Sequence, residues 1–257
     1  MRHQTTLTDL ARLGFADLET SRQRLADFDD LSIAVTPLFA HAADPDQALI
    51  ALSRLREQSP EQLAPVVADD AATARLVRVL GASAGLGDFL LRRPAELDAL
   101  LQPLPKPLDA ATYSADILAA TEGLDLDAAV TALRVRYRRH LVQLTVWDLE
   151  QKDPLAAVSV VAAALADLAA AALDASLAVA RRSTRFPDAD VAKTRLAIIG
   201  MGKAGARELN YVSDVDVIFV AEAADDLASD RAVEIATRLA METMRGIHEP
   251  AFEPELW

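Results

Sequence analysis

The sequence predicts an α+β fold, with a mainly helical region over residues 1–190 and a short α/β unit over residues 191–257. Three observations predict it. Apolar residues recur three and four apart through the first region, the spacing that lines one face of a helix. That rhythm stops in a polar stretch from Arg181 to Thr194, which contains Pro187 and reads as a linker. Beyond it, two short apolar runs, Leu196–Ile199 and Val215–Val220, flank a glycine turn and read as strands. Helical spacing then returns from Asp226 to Arg245. Two strands and a helix do not complete a sheet of ordinary size, so the second unit reads as unfinished at Trp257.

The elements follow in order. Leu49, Leu52 and Leu55, then Leu76, Val79 and Leu80, mark amphipathic helices. Asp44-Pro45, Ser59-Pro60 and Asp153-Pro154 each offer a capping side chain followed by a first-turn proline. Gly81, Gly85 and Gly87 are expected to break the helical pattern, and Pro103, Pro105 and Pro107 to form a stiff connector. Asp127–Gln151 reads as one long helix carrying Arg134, Arg136, Arg138, Arg139 and His140. That basic run has the composition of a solvated face or of a surface that steers an acidic ligand. Leu155–Ala180 is apolar and long enough to cross a bilayer. Its Val158, Val161, Leu165, Leu168 and Ala172 share one face, and Asp167 and Asp174 fall on the other. An amphipathic helix packed on a core is therefore expected, and no membrane association.

Charge and composition exclude some functions. With 39 acidic against 26 basic side chains, the chain has a formal net charge of −13. A general nucleic-acid binder needs the opposite balance, because its affinity comes largely from neutralising phosphates. The chain has no cysteine, which excludes disulfides and thiolate metal sites. The first residues lack an apolar signal core, and a cytoplasmic location is expected.

The most informative segment is Gly200-Met-Gly-Lys-Ala-Gly205, followed by Ser213-Asp214-Val215-Asp216. A strand entering a glycine turn presents backbone N–H groups that can face an anion. In an extended chain, side chains two apart point the same way, so Asp214 and Asp216 are expected to project together from the start of the second strand. Carboxylates that close repel one another unless a cation lies between them. Mg²⁺ prefers oxygen ligands and is commonly shared with substrate phosphates. Phosphate cradle plus metal carboxylates is the equipment of phosphoryl or nucleotidyl transfer. Two other readings remain open on these residues alone. The turn can be a plain strand-to-helix connection. Alternatively, Gly200, Gly202 and Gly205 satisfy the G-x-G-x-x-G pattern of a dinucleotide-binding oxidoreductase, with Glu222 at the position of its ribose-binding acid. A P-loop is excluded, because Lys203 is followed by Ala204 and the glycine spacing is wrong.

The longer string Gly200-Met-Gly-Lys-Ala-Gly-Ala-Arg-Glu-Leu-Asn-Tyr-Val-Ser-Asp-Val-Asp-Val-Ile-Phe219 resembles the catalytic motif of the bifunctional glutamine synthetase adenylyltransferase/adenylyl-removing enzymes. These belong to the DNA polymerase β-like nucleotidyltransferases. Leu80–Pro94 and Leu133–Leu149 resemble the helical region of the same family, so the likeness runs from about Ala48 to Phe252. Such enzymes carry two catalytic copies. One removes AMP from a tyrosine of glutamine synthetase by phosphorolysis, and the other attaches AMP from ATP. The helical region ahead of the motif and the Glu208-Leu-Asn-Tyr211 wording are more like the removing copy.

The resemblance implies roles for named residues. Asp214 and Asp216 would hold Mg²⁺ and act in catalysis. Gly200, Gly202, Lys203 and Ser213 would contact the phosphates. Glutamine synthetase, nucleotide and phosphate would be the partners, together with a PII-type nitrogen-regulatory protein. The family continues with F-E-V-D-x-x-L-R-P-x-G, whose aspartate is a third metal carboxylate. Here the chain reads Phe252-Glu-Pro-Glu-Leu-Trp257, and Glu255 falls at that position. With Pro254 beside it and the arginine and glycine absent, weak or no activity is expected of this chain alone. A non-catalytic interaction module is the alternative.

Overall fold

The computed structural model describes residues 5–28, 31–224, 226–249 and 253–256. Phe252 and Trp257 lie outside the described residues. The chain forms two compact units. The first comprises the chain up to Pro105 together with Val142–Lys152, and the second Lys106–Leu141 together with the chain from Asp153 onward.

The first unit is helical. Its helices are α1 (Leu7–Arg12), α2 (Leu18–Ala26), α3 (Leu31–Val35), α4 (Pro45–Gln58), α5 (Pro60–Val67), α6 (Asp70–Ala82) and α7 (Ala84–Arg92). Leu49, Leu52 and Leu55 of α4 and Leu76, Val79 and Leu80 of α6 are all fully buried, as their spacing requires. Asp44 caps α4 by accepting from the Gln47 N–H, with Pro45 in the first turn. Ser59 makes no such side-chain bond at the start of α5. The expected break at Gly81, Gly85 and Gly87 falls elsewhere. Gly81 lies within α6, and Gly85 and Gly87 within α7. The interruption is at Ser83, whose side chain accepts from the Leu86 N–H and starts α7. Gly81 has a packing role instead, since a Cβ there would sit 2.8 Å from Ala42 Cβ.

The second unit contains α8 (Ala110–Ala120), the first part of α9 (Leu126–Leu149), α10 (Pro154–Ser183) and α11 (Asp188–Ala192). It continues with β1 (Thr194–Gly200), α12 (Gly202–Ala206), β2 (Val217–Ala223) and α13 (Ser229–His248). β1 and β2 pair antiparallel, from Thr194 opposite Ala223 to Gly200 opposite Val217. Helix α13 packs on both strands and on α10. Ala180, Val191, Ile235 and Leu239 form the core there, with Leu177, Phe186 and Leu196 against them.

The division between units does not fall at residue 190. Arg181 and Arg182, expected in a linker, continue α10 instead. Arg181 donates to the carbonyls of Val191 and Thr194, both at 3.1 Å. Those bonds fasten the first strand to the helix before it, so α10 and the sheet share one unit.

Helix α10 has the length and hydropathy of a membrane span, yet half of its most apolar window is buried within the protein. Val161, Leu165, Leu168 and Ala172 form the buried face. Val158, placed on that face by periodicity, is exposed.

Candidate active site

The glycine turn is closed by backbone geometry that few residues permit. Gly202 has φ +51°, in the left-handed region that disfavours a side chain. A Cβ at Gly205 would lie 2.3 Å from the Gly200 carbonyl oxygen, so only glycine fits. The Gly205 N–H donates to the Met201 carbonyl at 3.0 Å, and the Glu208 N–H to that of Lys203 at 2.8 Å. Arg207 ends α12 with φ 60° and ψ 40°. It is the one non-glycine residue with positive φ among the described residues.

Asp214 and Asp216 are not part of β2, which starts at Val217. They lie in the stretch leading into it. The Met201 N–H donates to the Asp216 carbonyl at 2.8 Å, which carries the pairing one step beyond the Gly200–Val217 pair. Exposure alternates along this stretch, with Asp214 and Asp216 exposed and Val215 buried between them. Asp216 reaches the turn itself, because a Cβ at Gly202 would lie 3.9 Å from Asp216 Oδ2. Gly200, Gly202 and Lys203 are exposed beside it and Ser213 is half-buried. The structure thus brings the turn and the Asp216 carboxylate together on an open shelf. Ile199, Ile218 and Val220 are also exposed next to it, on the sheet face turned away from α13.

Glu255 is placed differently. Its carbonyl accepts from Arg138 Nη2 at 2.6 Å, on α9. Among the described residues, no three His, Cys, Asp or Glu side chains group closely enough to hold a metal ion. Glu255 therefore does not complete a three-carboxylate cluster with Asp214 and Asp216. The physical reason lies in Arg134 and Arg138. Arg134 is 0% exposed and donates to the carbonyls of Gly246 at 2.9 Å, Glu249 at 2.8 Å and Glu253 at 2.6 Å. Arg138 holds the carbonyls of Pro254 and Glu255. The two arginines, one helical turn apart, tie the last described residues to α9, and no strand forms there.

The antiparallel pairing overturns the dinucleotide-binding alternative. In that fold, the strands flanking the glycine turn run parallel and are joined by a crossover helix. Here they run antiparallel, and only the five-residue α12 and a coil connect them.

Two contributors escaped sequence reading. The basic run on α9 is no solvated face, since Arg134 is buried and Arg136 lies 3.5 Å from Asp116. The sequence held no signal for this, because an arginine whose partners are carbonyls leaves no charge complement to find. Asp167 was read as a solvent-side residue of α10, yet its side chain is only 14% exposed and Arg207 Nη2 lies 2.7 Å from Oδ2. Burial raises the Asp167 pKa above the usual carboxylate value, and Arg207 opposes that shift.

With this geometry in place, comparison with known proteins is direct. A model of the glutamate-ammonia ligase adenylyltransferase family matches residues 73–257. The bifunctional glutamine synthetase adenylyltransferase/adenylyl-removing enzyme of Leifsonia xyli subsp. xyli is 51% identical over 274 residues, covering 100% of this chain and 27% of that protein. The protein of the same name from Streptomyces avermitilis is 40% identical, covering 100% of this chain and 26% of its own length. That from Mycobacterium avium is 38% identical, over 96% of this chain and 25% of its own. The chain thus spans about a quarter of the length of the curated relatives it matches. Because the family match takes in the glycine turn, the acid pair and the helices that carry them, this chain belongs to the glutamate-ammonia ligase adenylyltransferase family.

Proposed function

We propose that this chain carries the adenylyl-removing site of a nucleotidyltransferase acting on glutamine synthetase. The observation that carries the reading is the contact between the two halves of the motif, with the Asp216 carboxylate beside the positive-φ Gly202 of the turn. The names of the relatives, which pair an adenylyltransferase with an adenylyl-removing activity, support it.

The reaction is a phosphorolysis. An oxygen of orthophosphate attacks the phosphorus of the tyrosyl-AMP ester. A new P–O bond forms, the bond to the tyrosine oxygen breaks, the phenol regains its proton, and ADP leaves. Carboxylates are hard oxygen donors of the kind Mg²⁺ takes, and Mg²⁺ is often held by one or two of them plus substrate phosphates. Asp214 and Asp216 would hold it, and when bound it would neutralise charge on the phosphoryl oxygens. The N–H groups of Gly200 and Gly202 orient phosphate oxygens, Ser213 donates its hydroxyl, and Lys203 supplies a point charge. A PII-type effector, a nucleotide ligand and a cytoplasmic setting belong to the same proposal.

The test is incubation of adenylylated glutamine synthetase with orthophosphate, Mg²⁺ and this chain, alone and fused to the family's F-E-V-D-x-x-L-R-P-x-G strand. ADP from the fused form, absent with Asp214→Asn, is the expected result. ATP-dependent attachment of AMP would assign the other activity. The placement of Glu255 favours a second reading, a non-catalytic interaction module. Binding of glutamine synthetase with no ADP from either form would establish it.

A further inference from the structure

The turn that carries the candidate phosphate contacts is held by little besides its own backbone. No residue of α12 is buried. Leu209, just after it, is buried, and Arg207 reaches across to α10. Two features of that reach set it apart from an ordinary surface ion pair. Arg207 takes a left-handed conformation that is strained for an L-residue and that glycine adopts freely. The position keeps arginine all the same, and what arginine adds over glycine is the side chain that meets Asp167. On the other side, Asp167 interrupts an apolar helix and is largely withdrawn from water, flanked by Ala166 and Leu168, both buried. A carboxylate so placed is destabilising unless a partner offsets its lost hydration.

We propose that Asp167 is a positioning residue for the glycine turn. It holds the Arg207 guanidinium and thereby fixes the left-handed close of the segment from Gly200 to Arg207. A carboxylate remote in sequence from the motif thus sets how well the turn receives the phosphates of a nucleoside diphosphate. The ligand half of this proposal rests on the phosphate reading of the turn, and the mechanical half does not.

The experiment separates them. Amide hydrogen exchange across Gly202–Arg207 is measured in the ligand-free 257-residue chain, and Mg·ADP binding is titrated by calorimetry. Wild type is compared with Asp167→Asn, Arg207→Lys and the double exchange Asp167→Arg with Arg207→Asp. Expected for Asp167→Asn are about tenfold faster exchange, confined to the turn, and about tenfold weaker Mg·ADP binding, with much of both recovered in the double exchange. Unchanged exchange in the turn overturns the proposal whatever the ligand does. So does exchange that rises equally through α10 and α13, which marks general loosening. If the wild type binds no Mg·ADP while turn exchange responds as expected, the phosphate reading fails and the positioning role of Asp167 stands.

Discussion

Arg134 and Arg207 put the same side chain to opposite uses within one unit. Arg134 is fully buried, and carbonyls at the end of α13 and in the segment after it surround its guanidinium. Its pKa is lowered by burial, and the charges of Glu255 and Glu253 oppose that shift. It works as a cap supplied by another helix, answering carbonyls that a helix end leaves without partners and the negative end of the helix dipole. Arg207 keeps 57% of its side chain in water and engages a single carboxylate. The first arrangement is over-determined and can tolerate no substitute. The second is lightly held and lies beside the groups proposed to do chemistry. The difference teaches where each region's free energy goes, into holding the chain at Arg134 and into a poised, open turn at Arg207.

The comparison is sharpened most strongly at the acid pair. Asp214→Asn and Asp216→Asn should each lower ADP formation by the fused form by about a hundredfold or more, the scale seen when charge stabilisation at a reacting centre is lost. Both residues are exposed, so each substitution should shift the denaturant midpoint by no more than about 0.5 kcal/mol equivalent. A large stability loss with either variant would break the distinction between a site that holds and a site that acts.

The arginines themselves come next. Arg134→Ala leaves several buried carbonyls without donors and removes one of the positive charges beside Glu253, Arg138 remaining at 3.9 Å, and should cost about 3–5 kcal/mol in urea unfolding. Arg134→Lys should recover little, because a point charge on a flexible stem cannot replace a planar fork serving several acceptors. Arg207→Ala should cost less, about 1–2 kcal/mol, because the guanidinium it removes is largely in water while the Asp167 carboxylate it leaves is not. Equal losses at the two positions would mean that burial does not distinguish them.

What was legible in the sequence follows the same division. Helices with an apolar stripe, such as α4 and α6, were readable because burial and periodicity are one signal there. The strands were readable as short apolar runs, and the glycine turn because few residues permit its backbone, as Gly202 and Gly205 show. The start of the second strand was legible only approximately, because β2 begins at Val217, after Asp214 and Asp216. The boundary at residue 190 was not legible, because Arg181 bonds to carbonyls, which every residue has. Asp167 and Arg134 were missed for a related reason. Their partners stand 40 or more positions away, at Arg207 and at the carbonyls after Arg245, and no local pattern marks such pairs.

A smaller effect tests the buried side of the comparison by pH alone. Tyr113, on α8, is fully buried, and burial pushes its pKa up to about 12, with the nearby Leu108 backbone opposing the shift and Asp167 adding to it. The sign follows from the protons bound in each state. Below pH ~10 the phenol is protonated both folded and unfolded, and stability is independent of it. Between pH ~10 and ~12 the unfolded chain loses this proton while the folded chain keeps it, so stability falls by about 1.4 kcal/mol per pH unit. Above pH ~12 the loss levels off at roughly 2–3 kcal/mol. Tyr137, likewise buried and pushed up, adds a slope of the same sign. Urea unfolding of wild type and Tyr113→Phe across this range should show the wild type losing ground as pH rises, and the variant losing less by about that amount. Asp167→Asn, which removes the neighbouring negative charge, should bring the tyrosine pKa down, so that the fall still begins near pH ~10 but levels off at lower pH and is smaller. If Asp167→Asn instead leaves the curve where it was, the electrostatic contact between Tyr113 and the carboxylate that holds Arg207 is not made in solution, and the two regions are independent.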